Sequence, residues 1–297
     1  MIIDILLPIF LVAGSGYAIG RVLRLDPQPL TKIVFYLLTP ALIFHSIYTH
    51  TVAGREVGTV ILFVMILHLA LIVLGLIGAR IMRLDDNLRI AVTLSLSFNN
   101  VGNYGLPLLL FAFGEPGLAL GVIYMVSHIA MQATLGVGIA VWSKDRSLRT
   151  FTNALLSVPW VYALVIALLL HTTAVAIPSW LARPIELLAQ AAIPLQLLVL
   201  GIELSWVKLG SVFRLAAPIT LAKLLIPPLL AWGLTAALGI GGLLRAVLII
   251  QASTPTAVNT LILALRYKRR ADLVAAIVLL TTVGSLITIG ILLSVLL

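Results

Sequence analysis

Polar side chains interrupt an otherwise apolar run of the sequence between Ser95 and Pro107. The run reads SLSFNNVGNYGLP, so three Asn, two Gly and one Pro fall near its middle. An Asn side chain is costly in hydrocarbon unless it is paired, and Gly and Pro weaken a helix at the same place. Amide donors and freed backbone N–H groups can bind a carboxylate without Arg or Lys. The run therefore indicates a small-anion site, with candidate binding residues Asn99, Asn100, Asn103 and Tyr104 and with Gly102, Gly105 and Pro107 at the break.

A second apolar run, from Gln251 to Asn259, carries the same kind of interruption. It reads QASTPTAVN, and its candidate residues are Gln251, Ser253, Thr254, Thr256 and Asn259, with Pro255 at the break. Non-helical backbone at membrane depth is tolerated only where it is buried in protein or lines a cavity. Paired interruptions are the best sequence pointer to a transporter site. The alternative, that these residues only kink helices or bond to neighbouring spans, stays open.

Three ionisable residues within apolar runs are candidates for a coupling site or a counter-charge: Lys223, His68 and His128. Lys223 either extends to the cytoplasmic interface or serves as a substrate counter-charge or ion-pair partner. The two His residues either bond to neighbouring helices or form a proton-coupling site, because His titrates near neutral pH.

The elements that must position these residues are predicted to be transmembrane helices. The chain has 297 residues, of which 62% are hydrophobic and 10% charged, far fewer charges than the roughly 25% of a soluble domain. Its apolar runs are continuous and long enough to cross a hydrocarbon core about 30 Å thick, which needs about 20 residues per helix. Ten spans are predicted, at residues 2–20, 31–49, 58–79, 89–113, 116–142, 152–171, 184–203, 214–238, 243–265 and 272–296.

Positive charge in the connecting loops predicts the orientation. Fifteen of the 19 Lys and Arg residues fall in the odd-numbered loops and three in the even-numbered ones, with Lys223 inside a span. Positively charged loops stay in the cytoplasm, so both termini are predicted outside an inner (plasma) membrane. The first apolar run is read as a span, because Arg21 and Arg24 follow it, which reverses the charge order of a signal peptide. The net charge of +9 is explained by these loops, and nucleic-acid binding is not expected.

Two halves of five spans are predicted to form an inverted repeat, residues 1–150 and 151–297. An offset of 154 residues relates Pro40 in the second span to Pro194 in the seventh, and Asn100 in the fourth to Thr254 in the ninth. An odd number of spans per half places the second half upside down. The same offset places His68 beside Lys223.

The motifs of common enzymes are absent from the sequence. It has no Walker A loop, no HExxH, no Gly-x-Ser-x-Gly and no Cys, and Asp85-Asp86 is its only acidic pair. An enzyme, a metal site and a cofactor are therefore not expected. Without an ATP site, a carrier must be a secondary transporter or a uniporter.

The fourth span resembles the auxin efflux carrier family, which includes bacterial dicarboxylate (malonate-type) carriers and the plant PIN auxin exporters. The resemblance is carried by Asn99–Pro107 followed by the Gly114-Glu115-Pro116-Gly117 sequence, and is supported by 40–44 (PALIF) and 255–259 (PTAVN). It implies a fold like that of the bile-acid/sodium symporters, with crossed broken helices four and nine. Spans one, two, six and seven would form a scaffold, and spans three to five and eight to ten a mobile transport domain. The fifth loop, 143–150, lacks the long insert of the plant members.

The same resemblance implies a secondary transporter of small carboxylates that works as an elevator, in which Asn99, Asn100 and Asn103 contribute to the anion site and Pro107 and Pro255 shape the crossing. The expected partners are the substrate, the lipid bilayer, H⁺ or Na⁺ as coupling ion, and a second copy in a homodimer. Two alternatives remain: a sodium-coupled symporter of the same fold, and a non-transporting membrane sensor or channel.

Overall fold

The computed structural model describes residues 2–50, 52–141, 159–173, 175–207 and 212–297. Regular secondary structure in these ranges is helical, apart from an isolated antiparallel β-bridge between Asn99 and Thr256. Helices satisfy their own backbone hydrogen bonds, as hydrocarbon requires. The predicted all-helical class is therefore confirmed. The predicted fifth loop, Lys208 and residues 152–158 of the predicted sixth span lie outside the described ranges.

Three helices open the chain: α1 (Ile2–Leu23), α2 (Gln28–Thr49) and α3 (Gly54–Ile81). In α2 a π-helical turn, Val34–Leu38, precedes Pro40, and the helix then continues. Proline removes a backbone N–H and crowds the carbonyl four residues earlier, and a wider turn accommodates that misfit. Pro40 is therefore accommodated by a bulge, and α2 is not broken there.

The predicted fourth and fifth spans are carried by α4 (Asp86–Ser97) and α5 (Val101–Ala140). The side chain of Asp85 caps α4 by accepting from the N–H groups of Asn87 and Leu88, at 2.9 and 3.0 Å, as expected of Asp at this position. α5 contains π-helical turns at Val101–Gly105 and Gln132–Gly136. It also bends at Gly114, whose φ of 66° is a conformation that glycine adopts at little cost.

Six helices follow. They are α6 (Pro159–Thr172), α7 (Ser179–Ser205), α8 (Phe213–Ala237), α9 (Gly242–Ala252), α10 (Val258–Arg266) and α11 (Ala271–Leu296). Pro194 lies within α7, which continues through it. Seven of the described helices are long and apolar enough to span a membrane, namely α1, α2, α3, α5, α7, α8 and α11, and α6 and α9 are shorter apolar helices. The chain is thus a multi-pass membrane protein, and the arrangement as ten spans in two inverted halves stays a prediction.

The chain divides into two compact units. The first comprises Met1–Val60, Gly102–Val126 and Leu156–Trp206. In it α1 packs closely on α7, because a Cβ atom at Gly201 would lie 1.9 Å from the carbonyl oxygen of Ala13. Small residues that let helix backbones approach are typical of membrane helix pairs.

The second unit comprises Ile61–Val101, Ser127–Leu155 and Val207–Leu297. Within it α8 packs against α11, and α4 contacts both. An apolar cluster that includes Ile72, Leu94, Phe98 and Ile139 joins α3, α4 and the end of α5. This unit contains both ends of the second interrupted helix, α9 and α10, together with the end of the first, α4.

Candidate functional site

Two helix breaks lie against each other in the second unit. α4 ends at Ser97, and Phe98 is extended, with φ −111° and ψ 123°; α9 ends at Ala252 and α10 begins at Val258. The two extended segments pair through their backbones. The N–H of Asn100 donates to the carbonyl of Pro255 at 2.7 Å, and the N–H of Ala257 donates to the carbonyl of Phe98 at 3.1 Å. Each break thereby satisfies backbone groups that the other would leave unpaired at membrane depth.

Asn99 ties the two breaks together with its side chain. It is 1% exposed. Its Nδ2 donates to the carbonyls of Gln251 and Ala252, at 3.1 and 2.5 Å, and these carbonyls are among those that the end of α9 leaves without helical partners. Its Oδ1 accepts from Nζ of Lys223 at 2.5 Å. Both ends of the amide are therefore occupied, so that Asn99 positions its neighbours.

Lys223 is a buried cation on α8. Its Nζ donates to the carbonyl of Leu96, at 3.0 Å, as well as to Asn99, so the ammonium lies at the negative end of α4. Its side chain is 1% exposed, and the alternative that it extends to the interface is therefore wrong. The ion pairs within the described ranges are Arg89–Asp86 and Arg270–Asp272. Lys223 thus has no carboxylate partner among the described residues. These residues give no support to the alternative that Lys223 belongs to an ion pair within the protein.

Asn100 differs from Asn99 because its side-chain Nδ2 forms no hydrogen bond with the described residues. Its backbone N–H is bonded to Pro255. Its Nδ2 is buried without a hydrogen-bond partner among the described residues, and the residue is 6% exposed. A buried amide nitrogen without an acceptor loses the free energy of hydration without compensation. It is a donor available to an anionic ligand.

The hydroxyl groups of the second break are mostly directed to backbone carbonyls. Ser253 donates to Ile249, at 2.6 Å, and Thr254 donates to Gln251, at 2.9 Å. The hydroxyl of Thr256 donates to the carbonyl of Ser95 on α4, at 2.9 Å. These three side chains shape the break, and each hydroxyl retains acceptor capacity only.

The two amide residues of the second break have different environments. Gln251 is buried, and its Nε2 lies 3.4 Å from the carbonyl of Val101. Asn259 is half-buried in the first turn of α10, where free backbone N–H groups and the positive end of the helix dipole are expected. Asn259 is therefore better placed than Gln251 to bind an anion.

His68 and His128 form a hydrogen-bonded pair within the second unit. Nδ1 of His68 lies 2.7 Å from the carbonyl of Val64, and its Nε2 lies 2.7 Å from Nδ1 of His128. Because a carbonyl only accepts, Nδ1 of His68 carries a proton; in the neutral pair its Nε2 must then accept from His128. Both rings pack near the ring of Phe98, with centroids 5.9 and 5.8 Å away. The pair is therefore adjacent to a residue of the first break.

The remaining predicted residues belong to the first unit. Asn103 is half-buried. Tyr104 is fully buried, and its ring is edge-on to Phe10 with centroids 6.1 Å apart. The others are Gly102, Gly105 and Pro107. Within the second unit the structure brings together these predicted residues at or next to the breaks: Asn99, Asn100, Gln251, Ser253, Thr254, Pro255, Thr256, Asn259, Lys223, His68 and His128.

Two buried polar side chains of the second unit were not predicted from the sequence. Thr281 of α11 accepts from the N–H of Thr256 at 3.1 Å. Gln132 is 6% exposed on α5, and its Nε2 is buried without a partner among the described residues. It follows His128 by four residues, so the two side chains share a helix face. The four-residue spacing from His128, within an apolar run, was the sequence signal that could have identified Gln132. For Thr281 the only such signal was the pair of hydroxyl residues Thr281-Thr282.

Comparison with known proteins gives consistent matches over nearly the whole chain. An uncharacterized transporter of Methanocaldococcus jannaschii is 25% identical over 300 residues, which cover 97% of this chain and 96% of the relative. An uncharacterized transporter of Methanothermobacter thermautotrophicus is 28% identical over 269 residues, which cover 89% and 87%. The family described as "Membrane transport protein" matches residues 1–293. The chain therefore belongs to this family of membrane transporters, which is the auxin efflux carrier family that the fourth-span motif resembles.

Proposed function

We propose that this transporter carries small organic anions, such as malonate, malate or auxin-like carboxylates, by binding them at the paired helix breaks. The observation that carries the proposal is the position of Lys223. Its ammonium is buried beside the first break and has no carboxylate partner among the described residues. Lys223 donates to Asn99, and the neighbouring residue in the sequence is Asn100. Nδ2 of Asn100 has no acceptor among the described residues.

The physical reason is that a buried cation favours an anion as ligand. Removing an ion from water costs several kcal/mol, even after relaxation of the protein. The carbonyls of Leu96 and Asn99 offset part of that cost for Lys223, but they carry only partial charges. A carboxylate bound nearby would supply a full negative charge in a medium of low dielectric constant, and the N-terminus of α10 would add backbone donors. The site thus favours an anion over a cation.

The family of the chain, together with the two breaks, supports alternating access of the elevator type. In the proposed cycle the scaffold consists of spans one, two, six and seven, and the spans that carry the breaks move with the substrate. The compact units match this division only in part: α8 to α11 fall in the second unit and α1, α2, α6 and α7 in the first, but residues 102–126 of the predicted fourth and fifth spans also fall in the first. The matched interruptions support the inverted repeat.

The histidine pair supports protons as the coupling ion. An added proton can be taken up by His128, and the proton between the two rings can then shift to His68 without movement of either ring. Sodium coupling through the breaks is less favoured, because the carbonyls of Gln251 and Ala252 already accept from Asn99.

Counterflow in proteoliposomes tests this function. Vesicles that contain the full-length protein are loaded with malonate, malate, lactate or indole-acetate, and uptake of the labelled compound is measured with and without Na⁺. Saturable counterflow of at least one carboxylate, independent of Na⁺, is the expected result. Flux that requires Na⁺ would favour the sodium symporter, and flux without counterflow would favour a channel.

Lys223→Gln removes the proposed counter-charge and keeps a donor of similar length. We expect it to reduce carboxylate flux by at least about 100-fold, which corresponds to about 2.7 kcal/mol of lost interaction free energy. Lys32→Gln is the matched control, because Lys32 is exposed, and it should leave the flux unchanged. Equal flux in wild type and Lys223→Gln would show that Lys223 is not the counter-charge of the substrate.

A further inference from the structure

A groove of about 210 Å³ lies in the second unit, at the C-terminal end of α3. Its apolar lining comes from three helices: Leu76 and Ile77 of α3, Ile90 of α4, and Ile139 of α5. This lining is continuous with the exposed apolar surface of α3, because Ile77 is 51% exposed. The groove is therefore accessible from an apolar face of the protein, which distinguishes it from a pocket open only to water.

Charged side chains line the same groove: Arg80, Asp86 and Arg89. Nη1 of Arg89 lies 3.2 Å from Oδ1 of Asp86, but Nε of Arg89 is buried without a partner among the described residues. Arg80 is exposed, and its guanidinium forms no hydrogen bond or ion pair with the residues of the described ranges. Part of its role is to complement the negative end of α3. Even so, two guanidinium groups retain unused donors here.

We propose that this groove binds an anionic glycerophospholipid. The phosphodiester would accept from Arg80 and Arg89, and one acyl chain would lie along Leu76, Ile77 and Ile139. Two guanidinium groups and one carboxylate leave a net charge of +1, which matches a single phosphodiester. Basic pockets between membrane helices are a recognised site for lipid headgroups, and guanidinium suits phosphate because its donors form a planar fork.

The surroundings of the groove favour a bilayer lipid over a soluble phosphate. A free phosphate would use the two Arg residues but leave the four apolar residues exposed to water, whereas an acyl chain would cover them. Burial of apolar surface contributes about 25 cal/mol per Å². Ile81 and Met82, which follow Arg80, are 75% and 60% exposed, as expected for residues that contact lipid. The proposal does not depend on the transported substrate.

Native mass spectrometry of the full-length protein in detergent tests the site. Palmitoyl-oleoyl phosphatidylglycerol and the phosphatidylcholine with the same chains are added in separate titrations. We expect one phosphatidylglycerol to be retained preferentially, and Arg80→Gln to weaken its binding about fivefold, as expected for loss of one cation near a lipid headgroup. Arg89→Gln should weaken it to a similar or larger extent. Equal retention of the two lipids by the wild type would overturn the proposal.

Arg83→Gln is the matched control, because Arg83 is exposed in the loop that follows α3 and does not line the groove. It removes the same charge and should leave lipid retention unchanged; a fivefold loss in this variant would mean that only general charge is involved, which would overturn the proposal. Glycerol phosphate is the second control. Failure of glycerol phosphate to displace the lipid supports an acyl-chain contribution, whereas displacement at equal concentration would overturn the lipid assignment.

Discussion

Nζ of Lys223 lies 2.5 Å from Oδ1 of Asn99, and Nδ2 of the same Asn99 donates to the last carbonyls of α9. Because Lys223 also donates to Leu96 at the end of α4, one ammonium and one amide connect the ends of both interrupted helices. Any ligand that draws the ammonium toward itself therefore acts on the hydrogen bonds that hold the two breaks together. Binding and the geometry of the breaks are coupled through this pair.

Asn99→Asp should abolish flux and destabilise the protein. The new carboxylate would pair with Lys223 and neutralise the proposed counter-charge, while its oxygens would face the carbonyls of Gln251 and Ala252 without a donor between them. Each lost hydrogen bond at a buried group costs about 1–3 kcal/mol. We expect a flux at least about 100-fold lower in counterflow, with a lower thermal unfolding temperature in detergent. Gln190→Glu is the control, because Gln190 is exposed, and wild-type behaviour of Asn99→Asp would contradict the assigned role.

Asn100→Ala and Asn103→Ala should lose flux without loss of stability. The Nδ2 of Asn100 is buried without a partner within the described ranges, so its removal takes away no bond. The side chain of Asn103 is half-buried, and a truncation there is expected to leave the fold intact. Counterflow and thermal unfolding, measured on the same preparations, separate the two effects. Wild-type flux in both variants would refute the amide donors as part of the site.

His128→Gln and His68→Gln test the proton pathway. If the hydrogen-bonded pair carries the coupling proton, wild-type uptake rises when an inward proton gradient is imposed, and uptake by either variant no longer responds to that gradient. Gln retains hydrogen-bonding capacity but cannot take up a proton near neutral pH. His45→Gln provides the control, because His45 lies on α2 in the first unit. An unchanged response in both pair variants would remove the histidines from the mechanism.

Gly16→Ala should destabilise the first unit, whereas Gly14→Ala should not. Both residues lie in α1, but a Cβ at Gly16 would meet the carbonyl oxygen of Leu198 at 2.3 Å, and a Cβ at Gly14 has nothing within 4 Å. Overpacking of this kind costs about 1–3 kcal/mol, while Ala at an open helical position gains up to about 1 kcal/mol over Gly. Thermal unfolding in detergent compares the two directly. Equal unfolding temperatures for the two variants would contradict the close approach of α1 and α7.

Much of the local structure was accessible from the sequence because its signals are local. Long apolar runs with few charges predict helices that cross a membrane, and the fold is helical with apolar helices of sufficient length. Clusters of Asn, Gly and Pro predicted breaks within residues 95–107 and 251–259, and the structure has extended backbone at Phe98 and Ala257. The predicted break residues Gly102 and Gly105 instead lie in a π-helical turn, and Pro107 lies in the helix that follows. Pro40 and Pro194 gave a weaker signal, because a single proline can be accommodated by a π-helical turn or by a continuous helix. The inverted repeat and the membrane orientation rest on the sequence alone.

The partners of the polar groups were decided by the tertiary structure. The sequence by itself determined that amides, hydroxyls and a Lys would lie within apolar helices, because residue type and hydropathy are properties of the chain. It could not determine that Asn99 is fully bonded while Nδ2 of Asn100 has no acceptor among the described residues. Nor could it choose between an exposed and a buried ammonium at Lys223. The acceptors of the Lys223 ammonium and of the Asn99 amide are mainly backbone carbonyls. Every residue possesses such a carbonyl, so residue type does not identify the acceptor. Only the packing of α4, α8 and α9 brings particular carbonyls to within about 3 Å of particular donors.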